Sequence, residues 1–114
     1  MELEQRIAGD VAIVKVTGDI TLNQGSDAAL KDKIQSLLQQ SHKHLLVDLS
    51  GVSYVDSAGL GELVQAYATT KNRGGALKLL NVTKRLRDLL VVTKLLTVFE
   101  TFDDETSALA SFTA

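Results

Sequence analysis

The chain is predicted to be an α/β protein with a mixed β-sheet. Near the N-terminus, two segments with alternating apolar residues, LEQRIAG and VAIVKVTG, flank Gly9 and Asp10, a pairing typical of a hairpin turn. Short apolar runs typical of buried strands then alternate with segments of helical periodicity. This order predicts about four or five strands packed against about four helices, with right-handed crossovers between parallel strands. A length of 114 residues predicts a single domain, residues 1–114.

The first helix is predicted within NQGSDAALKDKIQSLLQQSHK. Its apolar residues recur at helical spacing, and they are Leu30, Ile34, Leu37 and Leu38. Asn23 or Ser26 can cap its start. The run HLLVDLSG that follows, residues 44–51, is apolar and too short for a helix. We therefore expect a central strand that is covered on both faces.

The second helix follows the loop VDSAGLG, residues 55–61. Its apolar stripe recurs at i, i+3, i+4 and i+7, and consists of Leu60, Leu63, Val64 and Tyr67. The segment NRGG is expected to end this helix, because a glycine there can adopt the left-handed conformation of a helix C-terminus.

The remaining elements continue the alternation. ALKLLNV is typical of a strand, and TKRLRDLLVV of a helix that is capped by Thr83. This third helix is expected to bury Leu86, Leu89 and Leu90. A short strand is predicted near TVFET, and a last helix in DDETSALASF, where the acidic residues suit a helix N-terminus. The last helix carries its apolar residues on one side, and these are Ala108, Leu109 and Phe112.

The composition excludes several classes of protein. Cysteine is absent, which removes disulfide scaffolds, thiol catalysis and thiolate zinc sites. A net charge of -2 gives no general attraction to nucleic acid. The apolar runs are far shorter than the roughly 20 residues that cross a bilayer, and the acidic start lacks the features of an export signal. We therefore expect a soluble, cytoplasmic protein with no membrane span and no direct contact with nucleic acid.

The exposed serine of VDSAGLG, Ser57, could suggest catalysis. A serine nucleophile needs a base within hydrogen-bonding reach. His42 and His44 precede the central strand, which places them roughly 20 Å from Ser57 at the opposite strand end. The same histidines lack the further ligands that a metal site requires and are interpreted as a solvated loop end. We predict neither a catalytic residue nor a metal site, and no enzyme.

Two further motifs favour a structural interpretation over ligand binding. GLG, residues 59–61, lacks both the spacing of a dinucleotide-binding glycine pattern and the lysine of a P-loop. Its glycines are interpreted as allowing the helix to start close to the sheet. The basic residues of KRLR, which are Lys84, Arg85 and Arg87, are interpreted as the solvated face of an amphipathic helix.

Two roles remain open for Ser57. Serine is among the best N-cap residues and stabilises a helix start by about 1 kcal/mol relative to alanine. A serine in the first turn, flanked by Ala58 and Gly59, is also accessible to a kinase. A phosphate there would lie at the positive end of the helix dipole and add a charge of about -1.5 to -2 beside Asp56.

The segments VDLSGVSYVDSAGLGELVQAY, GGALKLLNVTKRLRDLL and VFETFDDETSALAS resemble the STAS domain family, and within it the anti-sigma-factor antagonists of bacteria. The core of the likeness is D-S-x-G-L-G after the apolar strand that ends DLSGVSYV. The resemblance extends over nearly the whole chain, from VKVTGDIT to the last helix. It implies a small mixed sheet packed against helices and a binding protein rather than an enzyme.

The resemblance also implies a phosphorylation switch at Ser57. The unphosphorylated antagonist binds a partner that is both an anti-sigma factor and a serine-protein kinase, and thereby frees the sigma factor. Phosphorylation by that partner breaks the complex, and a PP2C-type phosphatase reverses it. No cofactor is expected, and the chain is expected to be a monomer or weak dimer. The implied partner-binding residues are Thr21, Asn23, Asp56, Ser57, Ala58, Gly59, Leu60 and Gly61.

The chain departs from the family's pattern in two places. Thr21 lies where many antagonists carry an acidic residue, and the loop TLNQGSD is longer than usual. Both differences affect the contacts that this loop is expected to make with the partner. Thr93 and Lys94 replace a serine-glycine pair that is common before the last strand, which bears on a turn. An alternative function keeps the fold: a scaffold subunit of a stressosome-type or lipid-transport ABC complex, which binds through its helix faces without a phosphorylation switch.

Overall fold

The computed structural model describes residues 2–21 and 29–113, and within these residues the chain forms five strands and four helices. In chain order these are β1 (Glu2–Ala8), β2 (Val11–Ile20), α1 (Ala29–Gln39), β3 (His44–Val55), α2 (Ser57–Asn72), β4 (Ala76–Leu80), α3 (Lys84–Val92), β5 (Thr101–Phe102) and α4 (Glu105–Ser111). The predicted hairpin followed by alternating helices and strands is confirmed. Asn23 and Ser26, the residues expected to cap the first helix, lie outside the described residues.

The strands form one mixed sheet in the order β1-β2-β3-β4-β5. β1 is antiparallel to β2, while the neighbours from β2 to β5 are parallel. Gly9 has a φ of 61° in the two-residue loop between the paired residues Ala8 and Val11, as expected where a hairpin turn places glycine first. The short strand predicted near TVFET lies at Thr101–Phe102, and so overlaps only the last residue of that segment.

The sheet separates two apolar cores. The larger core lies between the sheet and the helices α1, α2 and α3, and it includes all the apolar residues predicted for the first helix: Leu30, Ile34, Leu37 and Leu38. The smaller core lies under α4, and its buried residues are Val11, Ile13, Leu46, Leu80 and Ala108. Neighbouring residues of β3 are therefore buried in different cores, since Leu45 belongs to the larger core and Leu46 to the smaller core. The prediction of a central strand covered on both faces is confirmed for this part of β3.

β3 continues well beyond its neighbour β4. The pairing with β4 ends at Asp48 and Leu80, whereas the pairing with β2 extends to Ile20 and Val55. The strand has 12 residues and ends at Val55, the last residue of the segment DLSGVSYV that was expected to end it. Two shifts of register against β2 each insert an extra residue into β3. Because β1 pairs with β2 only as far as Thr17 and β4 pairs with β3 only as far as Asp48, the ends of β2 and β3 project from the sheet as a two-stranded tip.

The helices α1, α2 and α3 each end at a residue with left-handed backbone. These residues are Ser41, Gly74 and Lys94, with φ values of 71°, 78° and 63°. In α2, the backbone N–H of Gly75 donates to the carbonyl of Thr70 at 2.9 Å, which is the long hydrogen bond of a Schellman motif. The predicted glycine stop of α2 is confirmed, but the other two helices use the same motif without glycine.

The start of α3 has its predicted cap, and acidic residues lie at the start of α4 as expected. The Thr83 hydroxyl accepts from the backbone N–H of Leu86 at 3.2 Å at the start of α3. At the start of α4, the Asp104 carboxylate accepts from the backbone N–H of Ser107 at 2.8 Å. The side of α4 predicted to be apolar, which carries Ala108, Leu109 and Phe112, packs into the smaller core. No helix formed by the described residues is long and apolar enough to span a bilayer.

Candidate functional site

The loop VDSAGLG lies at the projecting tip, where β2 and β3 end and α2 begins. The backbone N–H of Asp56 donates to the carbonyl of Ile20 at 3.4 Å, which ties the start of the helix to the end of β2. Gly59 lies against the same carbonyl, and a Cβ atom placed on Gly59 would be 1.8 Å from the Ile20 oxygen. A side chain at position 59 is therefore incompatible with this junction. The interpretation that a glycine allows α2 to start close to the sheet is confirmed at Gly59 and is wrong at Gly61, which is exposed and where a Cβ atom would meet nothing within 4 Å.

Asp56, and not Ser57, is the N-cap of α2. Its backbone is extended, with a φ of -94° and a ψ of 179°, and its Oδ1 atom accepts from the backbone N–H of Gly59 at 2.6 Å. Its carbonyl accepts from the backbone N–H of Leu60 at 2.8 Å, which is the first hydrogen bond of the helix. The prediction that Ser57 caps the helix is wrong, because the preceding residue offers a charged acceptor to the positive helix end. Ser57 is instead the first residue inside the helix.

The Ser57 side chain is exposed at this tip. Its hydroxyl makes no hydrogen bond with any residue in the described ranges 2–21 and 29–113. Ala58 and Gly61 are exposed beside it, and neither carries a side chain large enough to cover the hydroxyl. The hydroxyl is therefore accessible to another protein.

The structure divides the residues predicted to contact a partner into two groups. Exposed or half-buried residues form the outer surface of the tip, and these are Asp56, Ser57, Ala58 and Gly61. Thr21 and Leu60 are only 7% and 3% exposed, and Gly59 is buried against Ile20, so these residues position the tip from within. Asn23 lies outside the described residues.

The two histidines are far from Ser57. His42 precedes β3 and His44 begins it, while Ser57 follows the other end of this strand of 12 residues. The His44 ring stacks on Phe112 with 5.3 Å between ring centroids, so it is engaged with α4. Ser57 therefore cannot obtain a general base from either histidine. Within the described ranges, no group of three or more His, Cys, Asp or Glu residues is arranged to hold a metal ion.

Sequence reasoning did not identify Tyr54 as a surface residue of the tip. Its side chain is 43% exposed, although it belongs to a strand that was expected to be buried. The register shift between Gly18 and Asp19 of β2 inserts an extra residue into β3 just before Tyr54 and changes the alternation of its side chains. A local signal was present in Gly18, which lies at this shift with a φ of 101°, since a glycine inside a strand often marks a bulge.

The fold and the site define a small α/β module whose distinctive chemical group is an exposed serine hydroxyl in the first turn of a helix. A family model described as the STAS domain matches residues 2–108. The chain belongs to the STAS domain family, which confirms the resemblance seen in its sequence.

Curated relatives and solved structures agree with this assignment. An anti-sigma-B factor antagonist of Bacillus subtilis (strain 168) is 38% identical over 82 residues, which cover 72% of each protein. An anti-sigma F factor antagonist of Paenibacillus polymyxa is 23% identical over 109 residues, which cover 96% of this chain and 92% of the relative. The structure of the Bacillus cell fate determinant SpoIIAA in its phosphorylated form superimposes with a TM-score of 0.74 at 15% identity, and covers 97% of this chain and 99% of that one. At this identity the last likeness establishes the fold, and the predicted STAS-like mixed sheet is confirmed.

Proposed function

We propose that this chain is an anti-sigma-factor antagonist whose binding is switched off by phosphorylation of Ser57. In its unphosphorylated form it binds an anti-sigma factor that is also a serine-protein kinase, and thereby releases a sigma factor. A PP2C-type phosphatase restores the binding form in the cytoplasm. The single observation that carries the proposal is the exposed Ser57 hydroxyl, which has no structural role in capping α2.

The names of the relatives support the class of partner. The relatives from Bacillus subtilis and Paenibacillus polymyxa are antagonists of anti-sigma factors, and the first shares 38% of its residues with this chain over the matched part. The relation to SpoIIAA, whose structure includes a phosphorylated form, supports a modification in this fold. We extend both properties to this chain as a single domain, residues 1–114, that acts without a cofactor and without catalysis of its own.

The charge at the tip explains how a phosphate would act. Asp56 already occupies the backbone N–H of Gly59, so a phosphate on Ser57 adds negative charge beside an existing carboxylate. A phosphoserine carries a charge of about -1.5 to -2 near pH 7. Burying it in a complementary interface costs several kcal/mol unless the partner offers new cations. A cost of about 4 kcal/mol corresponds to a roughly thousandfold loss of affinity.

The test uses the purified chain and, one at a time, the anti-sigma factor kinases encoded in the same genome. After incubation with ATP, mass spectrometry is expected to locate one phosphate on Ser57 and none on the nearby exposed Ser53. Ser57→Ala should bind the kinase in the presence of ATP without being released. Ser57→Asp should bind at least about tenfold more weakly than the wild type, since one carboxylate is an incomplete mimic of phosphate.

The outcome also separates this proposal from the alternative role as a scaffold subunit. If Ser57→Ala and Ser57→Asp bind a partner equally well and no phosphate is found on Ser57, the phosphorylation switch is refuted. Ser50→Ala is the matched control, because Ser50 is an exposed serine of β3 that lies further from Ser57 and has no proposed role. It should be phosphorylated on Ser57 and bind like the wild type.

A further inference from the structure

The strands of the projecting tip are residues 17–20 of β2 and 51–55 of β3, and we call this pair the ribbon. The two faces of the ribbon differ. One face of the ribbon packs against the helices, since Ile20 and Val55 both belong to the larger core. The smaller core under α4 ends before the ribbon, because none of its residues lies beyond Ile13 in β2 or Leu46 in β3. Within the part of the chain that the structure describes, this core therefore does not cover the face of the ribbon opposite the helices, which we call the bare face.

Tyr54 points to this bare face. It directly precedes Val55, and its partner Asp19 directly precedes Ile20. Because neighbouring strand residues point to opposite sides of a sheet, Tyr54 and Asp19 lie on the side away from the helices. The inserted residue Ser53 produces this arrangement, since it allows both Val52 and Val55 to face the larger core.

The neighbours of Tyr54 on the bare face cannot cover its ring. Preceding it on this face are Thr17 and Gly51, which are paired in the register. Gly51 has no side chain, and a Cβ atom there would be 2.9 Å from the Thr17 hydroxyl, so the position cannot accept a larger residue without a shift. Tyr54 is thus 43% exposed and belongs to neither apolar core.

We propose that Tyr54 is the aromatic anchor of the surface that binds the partner, so that a partner in contact with Ser57 also covers the bare face of the ribbon. This inference rests on the proposed function and adds a second contact region to it. Tyr54 and Ser57 are three positions apart in the chain, Tyr54 near the end of β3 and Ser57 at the start of α2. A partner that fits would present an apolar pocket for the phenol ring, with a basic side chain opposite Asp19.

The chemistry of tyrosine supports this role. Tyrosine is enriched among the residues that dominate binding energy, because it buries a large rigid ring and retains a polar hydroxyl. The second tyrosine of the chain, Tyr67, differs in its surroundings, since it is half-buried with its ring edge-on to Phe99 at 5.4 Å between centroids. The protein therefore contains one tyrosine suited to an anchor and one that serves as an internal control.

The test measures binding to the kinase that phosphorylates Ser57 in the experiment above. Tyr54→Ala is expected to bind about tenfold or more weakly than the wild type, whereas Tyr54→Phe, which keeps the ring, should lose no more than about threefold. Val92→Ala is the matched control, because Val92 is 78% exposed on α3, outside the ribbon. Its affinity should be unchanged.

A second measurement detects contact directly. The chain is labelled with 3-fluorotyrosine, and its two fluorine signals are assigned with the Tyr67→Phe variant. On addition of the kinase, the Tyr54 signal should shift or broaden more than the Tyr67 signal. Equal affinity of Tyr54→Ala and wild type, or an unchanged Tyr54 signal in the complex, overturns the role of Tyr54 while leaving the proposed function intact. If no kinase binds or modifies the wild type, the proposed function fails, and the anchor role fails with it.

Discussion

The Asp56 carboxylate accepts a hydrogen bond from the backbone N–H of Gly59 at 2.6 Å, and this bond assigns the capping of α2 to the residue before Ser57. Helix capping and an accessible hydroxyl, which one serine could have provided, therefore belong to two neighbouring residues. Asp56 stabilises the start of the helix, and the Ser57 hydroxyl remains accessible. A modification of Ser57 can therefore change the surface of the tip without removing the cap.

The first prediction separates these two roles by stability. Asp56→Ala removes the cap and should lower the free energy of unfolding by about 1 kcal/mol. Ser57→Ala removes an exposed hydroxyl and should change it by less than about 0.5 kcal/mol. Urea unfolding of both variants measures the difference, with Asp56→Asn as a control that keeps a capping side chain. A loss in Ser57→Ala as large as that in Asp56→Ala would show that the serine caps the helix after all.

A second prediction concerns the two glycines of the loop. Gly59→Ala forces a Cβ atom against the Ile20 carbonyl and should destabilise the fold by at least about 1–3 kcal/mol, the usual cost of overpacking. Gly61→Ala is the matched control, because a Cβ atom there meets nothing within 4 Å. Inside a helix this change should stabilise by up to about 1 kcal/mol. Thermal unfolding of both variants tests the pair, and equal effects in the two would refute the close contact at Gly59.

The features that sequence reasoning predicted correctly depend on local patterns. The helical spacing of Leu30 and Ile34, the cap at Thr83 and the glycine stop at Gly74 each follow from a few neighbouring residues. The loop VDSAGLG likewise indicated the position of the exposed Ser57. These signals are local, so a single sequence contains them.

The features that were missed depend on contacts between distant segments. The exposure of Tyr54 results from a shift of register against β2, which the sequence of β3 alone does not specify. Asp56 and Ser57 are both good N-cap residues, and the sequence alone does not specify which of them has the extended backbone of a cap. Ser41 and Lys94 adopt the left-handed conformation although neither is glycine, so their residue types did not indicate it.

The third prediction follows from those two residues. Ser41→Gly and Lys94→Gly should each stabilise the protein, because the left-handed conformation costs an ordinary residue about 1 kcal/mol that glycine avoids. The gain is smaller to the extent that glycine also gives the unfolded chain more freedom. Gly74→Ala is the reciprocal control and should destabilise by a similar amount. Urea midpoints of the three variants measure the effect, and a destabilised Lys94→Gly would show that its side chain makes a compensating contact.

The last prediction concerns the response of α4 to acid. The hydrogen bond from the backbone N–H of Ser107, supported by a second bond from its side chain, lowers the pKa of Asp104. A carboxyl group whose pKa is lower in the folded protein stabilises the fold above its unfolded pKa, and this contribution is lost as the pH falls through the folded value. The cap of α4 should therefore persist at neutral pH and weaken below about pH 4. Following the amide signal of Ser107 by NMR from pH 7 to pH 2.5 measures this bond directly. Asp104→Asn should cap at every pH and abolish the transition, whereas Asp103→Asn should leave it in place; a Ser107 signal that titrates equally in Asp104→Asn would contradict the assignment.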